Sequence, residues 1–242
     1  MADRPSAARF PTTHWSRIVA AGDPSAPQAR EALAELCRAY WYPLYAYVRH
    51  RGFPPDQAQD LTQDFFARVL EKGVFQDADP ALGRFRSFLR AVCADFLANR
   101  RDHHNAVKRG GGRPVLSIDA PDAEGRYALE PLHDLTPDRI FDRAWALTLL
   151  DRVLDQVRRE YHDAGRAAAF KELQVVLIDG NHAVPYAAIA ARLGTSEGAV
   201  RVAVRRLRSR YGERLREEIA TTVNDPSEVD DEIHALFAAL GT

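Results

Sequence analysis

The sequence predicts an all-α protein built from two helical domains. Apolar residues recur at intervals of three and four along most of the 242 residues, which is the spacing of amphipathic helices. The alternation of apolar and polar residues that marks half-buried strands is nearly absent. Proline and glycine separate the periodic segments into helices of ordinary length, and the chain is long enough for two cores.

Composition and charge indicate a globular protein that contacts a polyanion at two places. The chain is 46% apolar and 28% charged, and it has no membrane-length apolar run or secretory leader, so we expect it in the cytoplasm. Residues 84–113 and residues 192–216 each contain eight basic and two acidic side chains. Residues 217–242 contain seven acids and no lysine or arginine. Cys37 and Cys93 are expected to be reduced core residues.

The first domain, residues 1–109, is predicted to contain three helices. The first covers residues 28–50 and is expected to kink at Pro43. The second follows Pro55, and the third begins at Arg84 behind a loop rich in aspartate, proline and glycine. The inward positions of the third helix are Phe85, Phe88, Leu89, Val92 and Phe96.

A semi-extended acidic linker is predicted over residues 110–138, because three consecutive glycines open a segment with little periodicity. Thr136 is expected to cap the next helix, with Pro137 in its first turn. The second domain is predicted over residues 139–222. An acidic amphipathic extension follows over residues 223–242.

The second domain contains a short helix, a turn at Gly194 and a basic helix that begins near Glu197, with Thr195 or Ser196 as its cap. One side of the basic helix is apolar, and the other side carries Arg201, Val202, Arg205 and Ser209, flanked by Arg206, Arg208 and Arg210. This order of elements is that of a helix-turn-helix, whose second helix enters the DNA major groove. The alternative is an arginine-rich, solvated helix pair in a helical bundle.

The chain resembles the extracytoplasmic-function (ECF) sigma factors, the minimal two-domain initiation subunits of bacterial RNA polymerase. The resemblance covers about residues 28–109 and 139–222. It rests on three segments, AQDLTQDFFARVLEKG (Ala58–Gly73), FRSFLRAV (Phe85–Val92) and YAAIAARLGTSEGAVRVAVRRLR (Tyr186–Arg208). The resemblance implies a transcription initiation factor whose partners are core RNA polymerase and promoter DNA, with no enzymatic activity and no cofactor. An anti-sigma factor or a regulatory kinase is a further candidate partner.

The resemblance also implies functions for individual residues. The polymerase-binding residues would be Asp60, Gln63, Asp64, Phe65 and Arg68. The downstream (minus-ten) promoter box would be read by Arg84, Arg86, Arg90, Asp95, Asn99, Arg100, Lys108 and Arg109. Asp95 departs from the asparagine that is common in the family, so the base chosen there does not carry over. The residues that would contact the upstream (minus-thirty-five) box are Ser196, Arg201, Val202, Arg205, Arg206, Arg208 and Arg210. Arg201, Val202 and Arg205 would reach base edges, and Arg206, Arg208 and Arg210 would hold phosphates. Thr62, between the docking acids, is a candidate phosphorylation site.

Other interpretations remain open at this point. A helix-turn-helix transcription regulator would bind duplex DNA without acting as a polymerase subunit. A metal enzyme is disfavoured, because His103 and His104 are adjacent on a helix and no catalytic motif accompanies them. The acidic extension is expected either to pack on its own domain or to fold back over a basic DNA-facing surface. Its apolar stripe is Val229, Ile233, Leu236, Phe237 and Leu240.

Overall fold

The all-α prediction is confirmed by the computed structural model, which describes residues 27–71, 84–104, 123–129, 135–178, 184–223 and 225–241. These ranges contain helices and no strand. None of their helices is both long enough and apolar enough to span a membrane. The helices are α1 (Pro27–His50), α2 (Pro55–Glu71), α3 (Phe85–His104), α4 (Ala123–Leu129), α5 (Pro137–Asp163), α6 (Ala167–Leu173), α7 (Val175–Ile178), α8 (Tyr186–Leu193), α9 (Glu197–Ala220) and α10 (Val229–Leu240), the last preceded by a 3-10 turn (Pro226–Glu228).

The chain divides into two compact units. The larger unit comprises Met1–Thr148 together with Ile219–Thr242, and the smaller unit comprises Leu149–Glu218. Both divisions fall inside helices, because α5 and α9 continue past the boundary. The C-terminal extension therefore groups with the amino-terminal helices, although it follows the second predicted domain in the sequence.

Aromatic side chains dominate the core of the larger unit. The Tyr40 ring meets Phe85 edge-on with 5.5 Å between centroids, and Phe65 meets Phe96 in the same way at 5.7 Å. These edge-on contacts join α1 to α3 and α2 to α3. α1 passes through Pro43, and the predicted kink there stays a prediction.

Both cysteines are free and buried, as the sequence predicted. Burial raises the pKa of the Cys37 thiol and of the Cys93 thiol to about 12. Such thiols are protonated at neutral pH and are poor nucleophiles. They contribute packing rather than chemistry.

The prediction of an extended linker is wrong for residues 123–129, which form α4. Glu124 accepts hydrogen bonds from Nε and Nη2 of Arg49, both at 2.8 Å, and from the Tyr45 hydroxyl at 2.6 Å. The Arg126 guanidinium lies 4.0 Å from the centre of the Tyr42 ring. The bidentate ion pair and the cation–π contact attach α4 to α1, and neither is visible in the periodicity of a seven-residue segment.

The smaller unit encloses a separate apolar core contributed by α5 to α9. Its buried members are Val157, Phe170, Leu173, Val176, Ile189, Ala190, Val200, Val204 and Leu207. On its surface Glu160 accepts hydrogen bonds from Arg210, with Nε at 2.7 Å and Nη2 at 3.0 Å, and also from Arg214. We call these three residues the Glu160 clamp; it joins α5 to α9.

At the start of α5, the Thr136 hydroxyl accepts a hydrogen bond from the Arg139 amide at 3.3 Å, which confirms the predicted cap.

Candidate nucleic-acid interface

The turn between α8 and α9 has the local chemistry that the sequence predicted. Gly194 adopts a left-handed conformation, with φ 61° and ψ 37°, and the Thr195 amide donates to the Ala190 carbonyl at 3.0 Å. These bonds close the carboxyl end of α8. The Ser196 hydroxyl then accepts from the Ala199 amide at 3.2 Å, so Ser196, and not Thr195, is the residue that caps α9. The Ser196 hydroxyl is therefore engaged in capping α9, although the residue is exposed.

The two faces of α9 differ as its sequence indicated. Val200, Val204 and Leu207 are buried in the core of the smaller unit. The outer face carries Arg201, Val202 and Arg205, and half of the Val202 side chain is exposed (50%). Within the described part of the chain, Arg205 and Arg206 make no ion pair or hydrogen bond. This face therefore offers unpaired guanidinium groups beside an apolar side chain.

Arg201 lies on the same face but is paired. Its Nη2 donates to Oε1 of Glu197, one helical turn earlier, at 2.7 Å. Both side chains are largely exposed, and such pairs contribute roughly 0–1 kcal/mol. Arg201 can leave this pair at little cost.

Arg210, predicted to hold a phosphate, is paired with acids of its own unit. Arg210 is engaged in the Glu160 clamp and donates a further hydrogen bond to Glu213 at 3.1 Å. The hydrogen bond with Glu160 raises the pKa of Arg210. Arg208 remains exposed while its Nη2 lies 3.4 Å from the Val176 carbonyl oxygen. Arg210 thus stabilises the smaller unit, and Arg208 keeps most of its surface accessible.

In the larger unit, Arg86, which was predicted to contact the downstream box, is covered in this conformation. Only 6% of Arg86 is exposed, and its guanidinium lies 4.4 Å from the centre of the Trp145 ring. Nη1 donates to Asp142 at 2.9 Å, and Nε lies 2.9 Å from Oε1 of Glu232 without hydrogen-bond geometry. Arg86 is buried between the Trp145 ring and two carboxylates, so in this conformation it cannot reach nucleic acid.

Its neighbours Arg84 and Arg90 are also paired. Arg84 Nε lies 2.8 Å from Glu232 Oε2, and Arg90 contacts Asp142 at 3.3 Å and Asp138 at 3.6 Å. Arg84 is nevertheless exposed and Arg90 half-buried. We refer to Arg84, Arg86 and Arg90 as the arginine cluster.

Further along α3, the predicted residues lie nearer to solvent. Asp95 and Asn99 are exposed, and the Asn99 amide group donates to the Asp95 carbonyl oxygen at 2.9 Å. Arg100 pairs with Asp64 on α2, and its guanidinium lies 5.5 Å from the centre of the Phe96 ring. Lys108 and Arg109 lie outside the described residues.

The predicted docking face on α2 is mostly accessible. Asp60 is exposed, and Gln63, Asp64 and Arg68 are partly exposed. Phe65 is the exception: it is buried against Phe96, so its predicted contact with a partner is corrected to core packing.

Thr62 is buried, and its hydroxyl donates to the Ala58 carbonyl at 2.7 Å. A kinase could reach this hydroxyl only after α2 opens locally. Phosphorylation of Thr62 stays a prediction, and it requires that α2 opens locally.

Sequence reasoning missed Glu232, which closes the arginine cluster. It was counted among the solvated acids of the extension, yet it is one of the most buried charged residues described. A signal was present, because Glu232 stands four residues before Leu236 and so shares the face of the apolar stripe.

Comparison with family models, with curated proteins and with solved structures finds no match to this chain.

Proposed function

We propose that this chain is a bacterial transcription initiation factor of the ECF sigma type, with α8 and α9 as its helix-turn-helix. It binds core RNA polymerase and directs the enzyme to promoters by reading the minus-ten and minus-thirty-five boxes. The observation that carries the proposal is the outer face of α9. There Arg205 and Arg206 have no partner among the described residues, beside the half-exposed Val202.

The chemistry of this face suits the major groove. A guanidinium can donate two hydrogen bonds to the O6 and N7 atoms of guanine, a contact that discriminates by about 1–3 kcal/mol. Arg205 is available for such a contact, since it has no internal partner to leave. Val202 offers an apolar surface to the thymine methyl group, and Arg206 and Arg208 can neutralise phosphates without reading sequence.

The α2 face supports the polymerase-binding part of the proposal. Asp60 is exposed, and among the described residues Asp64 is paired with Arg100 alone. Carboxylates on one accessible helix face suit a basic partner helix, and the resemblance places polymerase docking on this segment.

The test is retention of core polymerase by the tagged full-length chain, followed by transcription in vitro from the DNA that the complex enriches. The charge-reversed variant Asp60→Lys should lose the polymerase subunits, whereas Asp163→Lys, the same change at an exposed position at the carboxyl end of α5, serves as control. A chain that footprints duplex DNA alone and retains no polymerase is instead a helix-turn-helix regulator, and the proposal fails.

A further inference from the structure

The C-terminal helix α10 occupies the arginine cluster of the larger unit. Glu232 is only 2% exposed, and its carboxylate lies between Arg84 Nε at 2.8 Å and Arg86 Nε at 2.9 Å. At the far end of α10, Nη1 of Arg143 donates to the Leu240 carbonyl at 2.9 Å. An oxyanion held between two guanidinium groups is also the way in which proteins bind a phosphodiester.

We propose that Glu232 fills a phosphate site formed by Arg84 and Arg86, so that docking of α10 and binding of single-stranded DNA exclude one another. The inference rests on the proposed function only for the identity of the polyanion. In a promoter complex the strands separate at the downstream box, and single-strand phosphates then become available to the cluster.

The contacts of the cluster indicate that α10 can leave without collapse of the unit. Asp142 belongs to α5 and remains with Arg86, and the stack of Arg86 on Trp145 also remains. Arg84 has no acidic partner other than Glu232 among the described residues. Departure of α10 therefore exposes the Arg84 charge and one side of Arg86, while the Arg86 guanidinium keeps its ion pair with Asp142.

α10 follows a capped 3-10 turn and, at 12 residues, depends on its docking for most of its stability. Ahead of it, Asp225 and Glu228 form a capping box, in which the Ser227 amide donates to Asp225 at 2.8 Å. Gly241 closes the other end in a left-handed conformation.

Of the apolar stripe only Leu236 is fully buried, whereas Phe237 is 45% exposed. Glu232 and Leu236 are therefore the two fully buried attachments of the docked helix.

Hydrogen exchange on the full-length wild-type protein tests the exclusion without any substitution. The probe is a mixed-sequence single-stranded DNA of about 20 nucleotides at low salt. We expect the amides of residues 229–240 to lose protection when the oligonucleotide saturates the protein. Unchanged protection of these amides in the complex would show that DNA and α10 bind together, and the inference would be wrong.

A matched pair of variants tests the role of the carboxylate. Glu232→Gln keeps the side-chain shape and removes the charge, and Asp231→Asn makes the same charge change at an exposed position of α10. By fluorescence anisotropy, Glu232→Gln should bind the labelled oligonucleotide about three- to tenfold more tightly at low salt, since one or two phosphate contacts are gained. Asp231→Asn should stay within about twofold, and Arg84→Ala added to Glu232→Gln should remove the gain.

The outcomes separate this inference from the initiation role. In one outcome the chain retains polymerase and directs transcription, but Glu232→Gln gains no affinity and α10 keeps its protection. This outcome would leave the initiation role intact and make α10 a packing element. A gain for Glu232→Gln in a chain that retains no polymerase would support the phosphate site and overturn the initiation role. If Glu232→Gln fails to fold, the wild-type exchange experiment decides.

Discussion

Arg205 and Arg210 on α9, both assigned to the upstream box, are expected to have different phenotypes. Arg205→Ala removes an exposed side chain without a partner among the described residues, so stability should change by less than about 0.5 kcal/mol. The proposed contact of Arg205 with guanine would supply about 1–3 kcal/mol of discrimination, equivalent to about five- to 150-fold in relative affinity. Arg210→Ala instead breaks the Glu160 clamp.

The clamp is partly exposed, so its loss should cost about 1 kcal/mol, and a unit of this size should then melt about 4–8 °C lower. Discrimination between bases should be unchanged in Arg210→Ala. The assay pairs thermal unfolding by circular dichroism with competition binding of reconstituted holoenzyme to promoters that match or mismatch one base pair of the upstream box. Equal losses of Arg205→Ala on matched and mismatched boxes would refute the reasoning, as would relaxed specificity in Arg210→Ala.

Three further predictions follow from local geometry. The double variant Asp60→Lys, Asp64→Lys should abolish retention of core polymerase while the helical circular-dichroism signal persists; intact retention would exclude α2 as the docking helix. Gly194→Ala should lower the free energy of unfolding by about 1 kcal/mol. An added Cβ meets no atom within 4 Å, so the whole cost comes from the left-handed backbone conformation. In contrast, Gly212→Ala inside α9 should stabilise by about 0.5–1 kcal/mol, and equal effects of the two substitutions would contradict this account.

The third prediction concerns pH. Hydrogen bonds, first from Arg210 and then from Arg214, lower the pKa of Glu160 below its ordinary value. The Glu160 clamp therefore stabilises the folded state fully above the pKa of Glu160 in the unfolded chain, about 4.3. This stabilisation is lost as the pH falls through the lower pKa of Glu160 in the folded state. The difference in unfolding free energy between wild type and Glu160→Gln should shrink from pH 6 to pH 3. A constant difference across that range would contradict the assignment.

Local features were predictable because local rules govern them. The start of α5 at Pro137, its cap at Thr136 and the turn at Gly194 follow from propensities that act within a few residues. The inward positions of α3 were predictable for Phe85 and Phe96, which are buried, because helical periodicity selects them. The helix α4 was not predictable in this way, since its stability depends on a side chain 75 positions away in sequence, Arg49, which binds Glu124.

By itself the sequence determined the helical class, the places where most helices begin and end, and the segregation of basic from acidic segments. Only the tertiary structure decided which of the arginines are available to a partner. Arg86 and Arg210 are engaged with acids from remote segments, whereas Arg205 and Arg206 have no such partner in the part of the chain that the structure describes. The physical reason is that an ion pair depends on separations of a few ångströms, and helical periodicity carries no information on the distance between residues 86 and 232.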